Sequence, residues 1–235
     1  MKVVILCGGE GLRLREYTEK IPKPLIEVGG KPILWHIMKI YSHYGHNDFI
    51  LCLGYRGDKI KAYFRKNGRG LGNITFADTG LKSSKAERLR RVERFIDGEN
   101  FFLAYGDDLS DVNINKILDF HLKNKKITTM TSINPVSQYG ILKLNEKSEI
   151  VDFKEKPVLR HWINGGFFVV NKKIFSYMKK GMELEDDVFR ELARKRQICA
   201  FKHRGFWKSM NTLKEVKELN DMWDRGNTPW KVWRQ

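Results

Sequence analysis

The stretch that most constrains the fold is Met1 to Pro24, reading MKVVILCGGEGLRLREYTEKIPKP. Lys2 to Cys7 is a short apolar run rich in β-branched residues, and Gly8-Gly9 end it abruptly. A run that is apolar on both faces suits a buried parallel strand. Gly11 and Arg13 follow in a glycine-rich loop, and Lys23 stands just before Pro24. Glycine adopts unusual backbone angles and leaves no Cβ between the chain and a ligand. The loop therefore reads either as an anion cradle, with backbone N–H groups and Arg13 as donors, or as a tight strand-to-helix turn that holds nothing.

The rest of the chain alternates strand and helix signals. Pro32 suits a first helical residue, and Ile33, Leu34, Ile37, Met38, Tyr41 and Tyr44 follow at helical spacing. Asp48 to Leu53 is a second buried strand closed by Gly54, Arg56 to Arg65 is amphipathic, and Asn73 to Ala77 is a short strand. Further helices are expected at Lys85 to Phe95, Asn113 to Leu122, Asp186 to Lys195 and Leu213 to Trp223. Further strands are expected at Phe101 to Tyr105, Ile127 to Ile133, Ile163 to Val170 and Ile198 to Phe201, with Gly140 to Leu144 and Glu149 to Phe153 as a hairpin. This order predicts one α/β domain: an open, mostly parallel sheet with helices on both faces.

No stretch approaches the roughly 18 consecutive apolar residues of a membrane span. The apolar run at the N-terminus is too short for a signal peptide. Cys7, Cys52 and Cys199 are far apart, odd in number and without metal-ligand spacing, so they read as reduced thiols. The expectation is a cytoplasmic protein with no membrane partner. A formal charge of +16 favours anionic partners. The cations are spread over several helices and mixed with acids, and no nucleic-acid-binding motif accompanies them, so no nucleic-acid partner is expected.

Open α/β sheets bind ligands beyond the carboxyl ends of their strands. Three polar clusters fall there: the glycine loop with Arg13, Gly106-Asp107-Asp108 after its strand, and Asn164-Gly165-Gly166. Cations and backbone donors in one and carboxylates in another suit a divalent ion between protein and phosphate oxygens, as phosphoryl transfer uses. Asp107 also reads as a turn residue, Asp111 as a helix cap and Asn164-Gly165 as a type I′ hairpin turn. Gly8 to Arg13 lacks the Gly-Lys-Ser/Thr ending of a P-loop and the third glycine of a dinucleotide fingerprint. A single Asp78-Thr79-Gly80 cannot form the carboxylate pair of an aspartic protease. His43 and His46 lack a third ligand nearby and read as solvated.

Gly8-Gly9-Glu10-Gly11-Leu12-Arg13-Leu14 with Pro22-Lys23-Pro24 resembles the G-G-x-G-T-R-L…P-K-P signature of sugar-1-phosphate nucleotidyltransferases. Within that superfamily the chain is more similar to the glucose-1-phosphate cytidylyltransferases. The stretches that carry this are Gly29 to Met38, Tyr105-Gly106-Asp107, Glu155-Lys156-Pro157, Ile163 to Phe168, Gly205-Phe206-Trp207 and Pro229 to Trp233, in family order over nearly the whole chain.

The resemblance implies a single Rossmann-like, GT-A-like domain over 1–235, with a mostly parallel, mixed sheet flanked by helices. A nucleotide-binding part would span about 1–110 and a sugar-phosphate-binding part about 111–235. It implies transfer of a nucleoside monophosphate, CMP from CTP first, to a sugar 1-phosphate such as glucose 1-phosphate, with pyrophosphate leaving and Mg2+ as cofactor. Another nucleoside triphosphate or another phosphorylated acceptor is the alternative, as is a nucleotide-binding homologue with impaired catalysis.

Carried over residue by residue, Arg13 would hold the triphosphate, Lys23 the α-phosphate and Lys156 the sugar phosphate, the three forming the catalytic set. Cys7, Gly8, Gly9, Gly11, Leu12, Arg88, Gly106 and Asp107 would join Arg13 and Lys23 around the nucleotide. Tyr105, Tyr139, Gly140, Glu155, Asn164 and Gly165 would join Lys156 around the sugar phosphate. Asp107, Asp108 and Asn211 would serve the metal. Relatives form homo-oligomers, so a homo-oligomer is expected, and Trp230 to Trp233 would pack on a neighbour or on its own core.

The departures are as specific as the matches. Leu12 replaces the loop threonine, Lys85-Ala86-Glu87-Arg88 stands for T-G-G-R, and the stretch before Asp78 is shorter than in typical cytidylyltransferases. Asn211 replaces the second metal aspartate, and Asp108, where glycine is usual, could restore its charge.

Overall fold

The computed structural model describes residues 1–233, the side chains of residues 15 and 16 excepted. Its strands are β1 (Lys2–Leu6), β2 (Glu27–Val28), β3 (Lys31–Pro32), β4 (Asp48–Leu53), β5 (Asn73–Asp78), β6 (Asn100–Tyr105), β7 (Asp108–Ser110), β8 (Thr128–Ile133), β9 (Ile141–Leu144), β10 (Ile150–Lys154), β11 (Ile163–Asn171), β12 (Ile198–Lys202) and β13 (Trp207–Ser209). The α-helices are α1 (Arg15–Thr18), α2 (Ile33–His43), α3 (Gly57–Asn67), α4 (Lys85–Arg91), α5 (Ile114–Asn124), α6 (Arg190–Arg194) and α7 (Leu213–Asp224).

Seven strands form one sheet in the order β12-β8-β11-β6-β1-β4-β5. All neighbouring pairs are parallel except those of β11, which runs antiparallel to both β6 and β8. This is the expected mixed, mostly parallel sheet. Its first strand is buried on both faces because alternate side chains enter two separate cores. Val3 and Ile5 pack with α2 and the C-terminal tryptophans, whereas Val4 and Leu6 pack with α4 and the 174–192 segment.

The topology collects the expected ligands at one edge. β1, β4 and β6 bring their C-terminal ends there, while the reversed β11 brings its N-terminal end, with Asn164, to the same edge. Asn164 and Gly165 are therefore strand residues and not a hairpin turn. The strand is irregular between Asn164 and Phe168, with Gly166 at φ +77°. A short antiparallel pair of β7 and β13 sets Ser209 opposite Asp108, and Met210 N–H donates to Asp107 O at 2.9 Å. Those bonds carry Asn211 across to the end of β6.

Several local readings change. The Asp186–Lys195 helix starts instead with a wide turn over Leu184–Phe189 before α6, and Lys85–Phe95 divides into α4 and a single turn at Glu93–Phe95. Asn113, not Asp111, caps α5 by accepting from Lys116 N at 3.0 Å, and Asp111 meets His203. His43 is exposed as expected, whereas His46 is half-buried against the Phe102 ring and bonded to Asn115. The thiols are free, with Cys7 and Cys52 buried and Cys199 half-buried.

The aromatic C-terminus packs on its own chain. Trp230 is fully buried, and its Nε1 donates to His36 Nδ1 at 3.4 Å. The other ring nitrogen of His36 faces Val28 O at 2.8 Å, and burial lowers its pKa to about 4.

Candidate active site

A cavity of about 870 Å³ opens at the carboxyl edge of β1 and β6, the crevice where chain order reverses around β1. Fourteen expected residues line it: Cys7, Gly8, Gly9, Gly11, Leu12, Arg13, Lys23, Arg88, Tyr105, Gly106, Asp107, Asp108, Asn164 and Asn211. Gly165 lies beside it, where its carbonyl accepts from Trp207 Nε1 at 2.8 Å.

The glycine loop forms one wall. Leu12 and Arg13 are exposed there, and Leu12 projects its side chain to solvent with 71% exposure. The chain beyond it is pinned from the next βα unit. Tyr55 Oη donates to Thr18 O at 3.0 Å, Arg56 Nη2 to Glu19 O at 2.5 Å and Lys59 Nζ to Lys20 O at 2.6 Å. Three donors converging on successive carbonyls fix the far end of the loop and leave Gly9 to Arg13 free of those restraints.

Arg88 lies beneath this wall. The residue is 5% exposed, and its guanidinium donates from Nη1 to Thr79 Oγ1 at 2.9 Å, Gly80 O at 2.7 Å and Leu53 O at 3.2 Å, and from Nη2 to Leu81 O at 3.0 Å. A Cβ at Gly8 would stand 2.3 Å from Nη1, and one at Gly54 would stand 2.4 Å away. Glycine at position 8 therefore makes room for a buried cation as well as for any ligand. Burial lowers the Arg88 pKa, while the neighbouring Cys7 thiol is pushed up to about 12 by its own burial.

The base of the cavity is a polar chain. Lys23 Nζ donates both to Asp107 Oδ2 and, at 2.8 Å, to Asn211 Oδ1. Asn211 Nδ2 in turn donates to Ser209 Oγ, and Ser209 bonds the Asp108 carboxyl. Asp108 is buried against Gly166 and Tyr105, and its pKa is raised by burial first and by the Asp107 charge second. It reaches Asn211 through Ser209. Among the described residues, no three His, Cys, Asp or Glu side chains gather as a metal site. Asp107 and Asn211 do aim two hard oxygens at one point.

Tyr139, Gly140, Glu155 and Lys156 are brought together elsewhere. They flank the β9–β10 ribbon, which is exposed along both strands, and they do not line the cavity. Lys156 Nζ stands 3.4 Å from Glu155 Oε1, and a Cβ on Gly140 would meet Glu155 Oε2 at 3.0 Å.

Lining residues that motif reading did not single out include Ser84, Lys85, Glu183 and Ser209. Ser84 caps α4 in a reciprocal capping box with Glu87, so the first turn of that helix bonds to protein. Lys85 was visible only as a departure from T-G-G-R, and Ser209 carries no motif.

The model of the nucleotidyl transferase family matches residues 2–223. A probable glucose-1-phosphate cytidylyltransferase of Bacillus subtilis (strain 168) is 42% identical over 255 aligned positions, which cover 99% of this chain and 100% of that one. The glucose-1-phosphate cytidylyltransferase of Salmonella typhi is 38% identical, again over 99% and 100%. Among solved structures, HddC from Yersinia pseudotuberculosis complexed with GMP-PN superposes with a TM-score of 0.74 at 21% identity, over 94% of this chain and 99% of that one. The inositol-1-phosphate CTP transferase from T. maritima superposes with a TM-score of 0.70 at 19% identity, over 97% of each. These two likenesses speak for the fold.

Proposed function

The chain belongs to the nucleotidyl transferase family, and from that premise we propose that it transfers CMP from CTP to a sugar 1-phosphate, glucose 1-phosphate first, with release of pyrophosphate. The observation that carries this reading is full-length identity of 38–42% to glucose-1-phosphate cytidylyltransferases. The single cavity joining the glycine loop, Asp107 and Asn164 agrees with it.

A phosphate oxygen of the acceptor attacks the α-phosphorus of the nucleotide, and the bond to the pyrophosphate oxygen breaks. No protein nucleophile is needed. The residues position two polyanions and offset the charge that builds between them. Arg13 and the loop N–H groups hold the β- and γ-phosphates. Lys23 reaches the α-phosphate by leaving Asp107, and Arg88 holds the 79–81 segment and adds a buried positive charge behind the loop. Tyr105 and Asn164 face the acceptor ring.

Asp107 Oδ2 and Asn211 Oδ1 fit a hard cation by chemistry and direction. They would hold magnesium together with phosphate oxygens, and the ion would supply charge neutralisation at the phosphates. None of Lys156, Tyr139, Gly140 and Glu155 lines the cavity, so for Lys156 to meet the sugar phosphate the ribbon that carries them would have to swing toward it. The nucleotide-binding and acceptor-binding parts divide near residue 110.

The ribbon also supports a homo-oligomer. Ile141, Leu142, Leu144, Ile150, Val151 and Phe153 are all exposed on it, and a two-stranded hairpin is marginal in water on its own. A second copy of this chain is the occupant we assign to that surface, and sedimentation would return a monomer if that is wrong. Among the described residues no helix is long and apolar enough to cross a membrane, and we place the enzyme in the cytoplasm.

The deciding experiment is pyrophosphate release measured for each nucleoside triphosphate against a panel of sugar 1-phosphates with magnesium. CTP with glucose 1-phosphate should exceed every other pair by about ten-fold or more, the discrimination that one well-placed polar contact supplies. A higher rate with another base would move the assignment to that base. Ala86 and Glu87, which fill the family's glycine pair at the start of α4, are the feature that favours such a change.

A further inference from the structure

We propose that Glu185, held by Lys85, is a positioning residue that fixes the hydrogen-bond polarity of the acceptor half of the cavity. Lys85 departs from the threonine of T-G-G-R and Glu185 lies in none of the matching stretches, and both act through Tyr105 and Asn164. The inference rests on the reading that Asn164 faces the sugar ring.

Glu185 Oε1 accepts two hydrogen bonds, from Lys85 Nζ at 2.6 Å and from Tyr105 Oη at 2.5 Å. A hydroxyl that donates its only proton to a carboxylate can only accept from its other neighbours. Tyr105 Oη accepts from Asn164 Nδ2 at 3.1 Å. Asn164 Oδ1 accepts from Gly166 N–H at 2.9 Å, so an obligatory backbone donor fixes which end of the amide is oxygen. Every bond in the chain therefore points one way, from Asn164 through Tyr105 to Glu185.

The consequence lies at Asn164. One Nδ2 hydrogen and one Oδ1 lone pair remain for a ligand, a donor and an acceptor side by side on the cavity wall. That pair matches two neighbouring hydroxyls of a sugar ring, one accepting and one donating. A carboxylate on the acceptor would meet only half of it. Lys85 Nζ lies 4.6 Å over the Tyr105 ring and bridges α4 to the 184–189 turn, so the same ion pair closes one side of the cavity. Where T-G-G-R has threonine, this chain has the lysine that completes the network.

Steady-state kinetics with CTP and glucose 1-phosphate test the assignment in four variants of the full chain. Glu185→Gln keeps size and removes the charge that orients Tyr105. It should raise KM for glucose 1-phosphate about ten-fold, the worth of one charge-assisted hydrogen bond, and leave KM for CTP within about two-fold. Lys85→Met should raise the same KM about three-fold, and Lys85→Arg, which keeps both the charge facing Glu185 and the cation over the Tyr105 ring, should stay within about two-fold of the parent. A purely structural role would lower the melting temperature and move both KM values together.

Asn164→Ala is the control on the underlying reading. If it raises the acceptor KM while Glu185→Gln does not, the positioning role is overturned and the acceptor site stands. If Asn164→Ala leaves the acceptor KM unchanged, the acceptor site lies elsewhere and the proposal falls with it.

Discussion

Replacing Arg88 by methionine tests how the 79–81 segment beside the glycine loop is held. Methionine fills the volume of the arginine stem and removes the guanidinium. Four hydrogen bonds go, but their loss is uneven. Leu53 O keeps bonds from Thr79 N at 2.9 Å and Thr79 Oγ1 at 2.6 Å, and Leu81 is exposed enough for water to reach its carbonyl. Gly80 O is left half-buried without this donor. One stranded acceptor and one lost charge-assisted bond come to about 2–3 kcal/mol, because removing the charge also removes its desolvation cost. For a domain of this size that is about 4–12 °C in melting temperature by calorimetry.

The same change frees the 80–84 segment along the cavity, so KM for CTP should rise about ten-fold while KM for the sugar phosphate holds. A second variant checks the geometry. Gly8→Ala drives its Cβ into Nη1 and should be destabilising alone. In the Arg88→Met background the nearest fixed obstacle is Gly54 N at 2.8 Å, so the two changes should cost roughly 1 kcal/mol less together than their sum. Additive costs, or an Arg88→Met melting temperature within about 2 °C of the parent, would refute the account of Arg88 as the clamp on the 79–81 segment packed under Gly8.

Three further outcomes follow from the geometry. Asp107→Asn should lower turnover by about 10²-fold or more, and a rate near that of the parent would remove Asp107 from the site. His36 titrates in the folded state at about 4 against an ordinary 6.5, so the unfolded chain binds more protons between those values. Stability should be complete above pH 6.5 and fall by about 3 kcal/mol as pH drops through 4. A denaturant series in His36→Gln should lose most of that slope, and an unchanged slope would place the titration elsewhere. Trp230→Ala should cost about 3–5 kcal/mol and Trp230→Phe markedly less, read from urea midpoints, whereas equal small losses would show the C-terminal segment to be dispensable.

The fold was legible where side chains obey a simple period. β4 carries the anticipated bounds Asp48–Leu53 because its run is apolar on both faces and closed by glycine. α2, α3, α5 and α7 followed from their stripes within a few residues. β7 and β13 were not legible because three residues hold no period, and their pairing depends on a partner nearly a hundred residues away. The reversed direction of β11 was equally hidden, since a buried strand reads the same in parallel and antiparallel pairings.

The site divides the same way. Residues in motifs, such as Gly8, Arg13, Lys23, Asp107 and Asn164, were named from the sequence and share one cavity. Lys85 and Glu185 stand a hundred positions apart, and only the tertiary fold makes them a pair. Tyr139, Gly140, Glu155 and Lys156 were named together with Tyr105, Asn164 and Gly165, but the fold sets these four apart on the exposed ribbon, outside the cavity that Tyr105 and Asn164 line.

The irregular start of β11 bears on how acceptor choice can change over time. Between Asn164 and Phe168 the strand advances four residues while its partner β8 moves only from Ser132 to Met130. The slack lies wholly at the cavity end, before Phe168, Val169 and Val170 resume the regular ladder and enter the cores. Substitution at positions 163 to 165 therefore alters what faces the ring without shifting any core side chain to the opposite face. Loss of a single residue there would be absorbed by the bulge or would reverse Asn164, and either result leaves the sheet standing. Ligand preference on this scaffold can drift independently of foldability, through a handful of residues at the cavity end of the strand that the bulge uncouples from the core ladder beyond it.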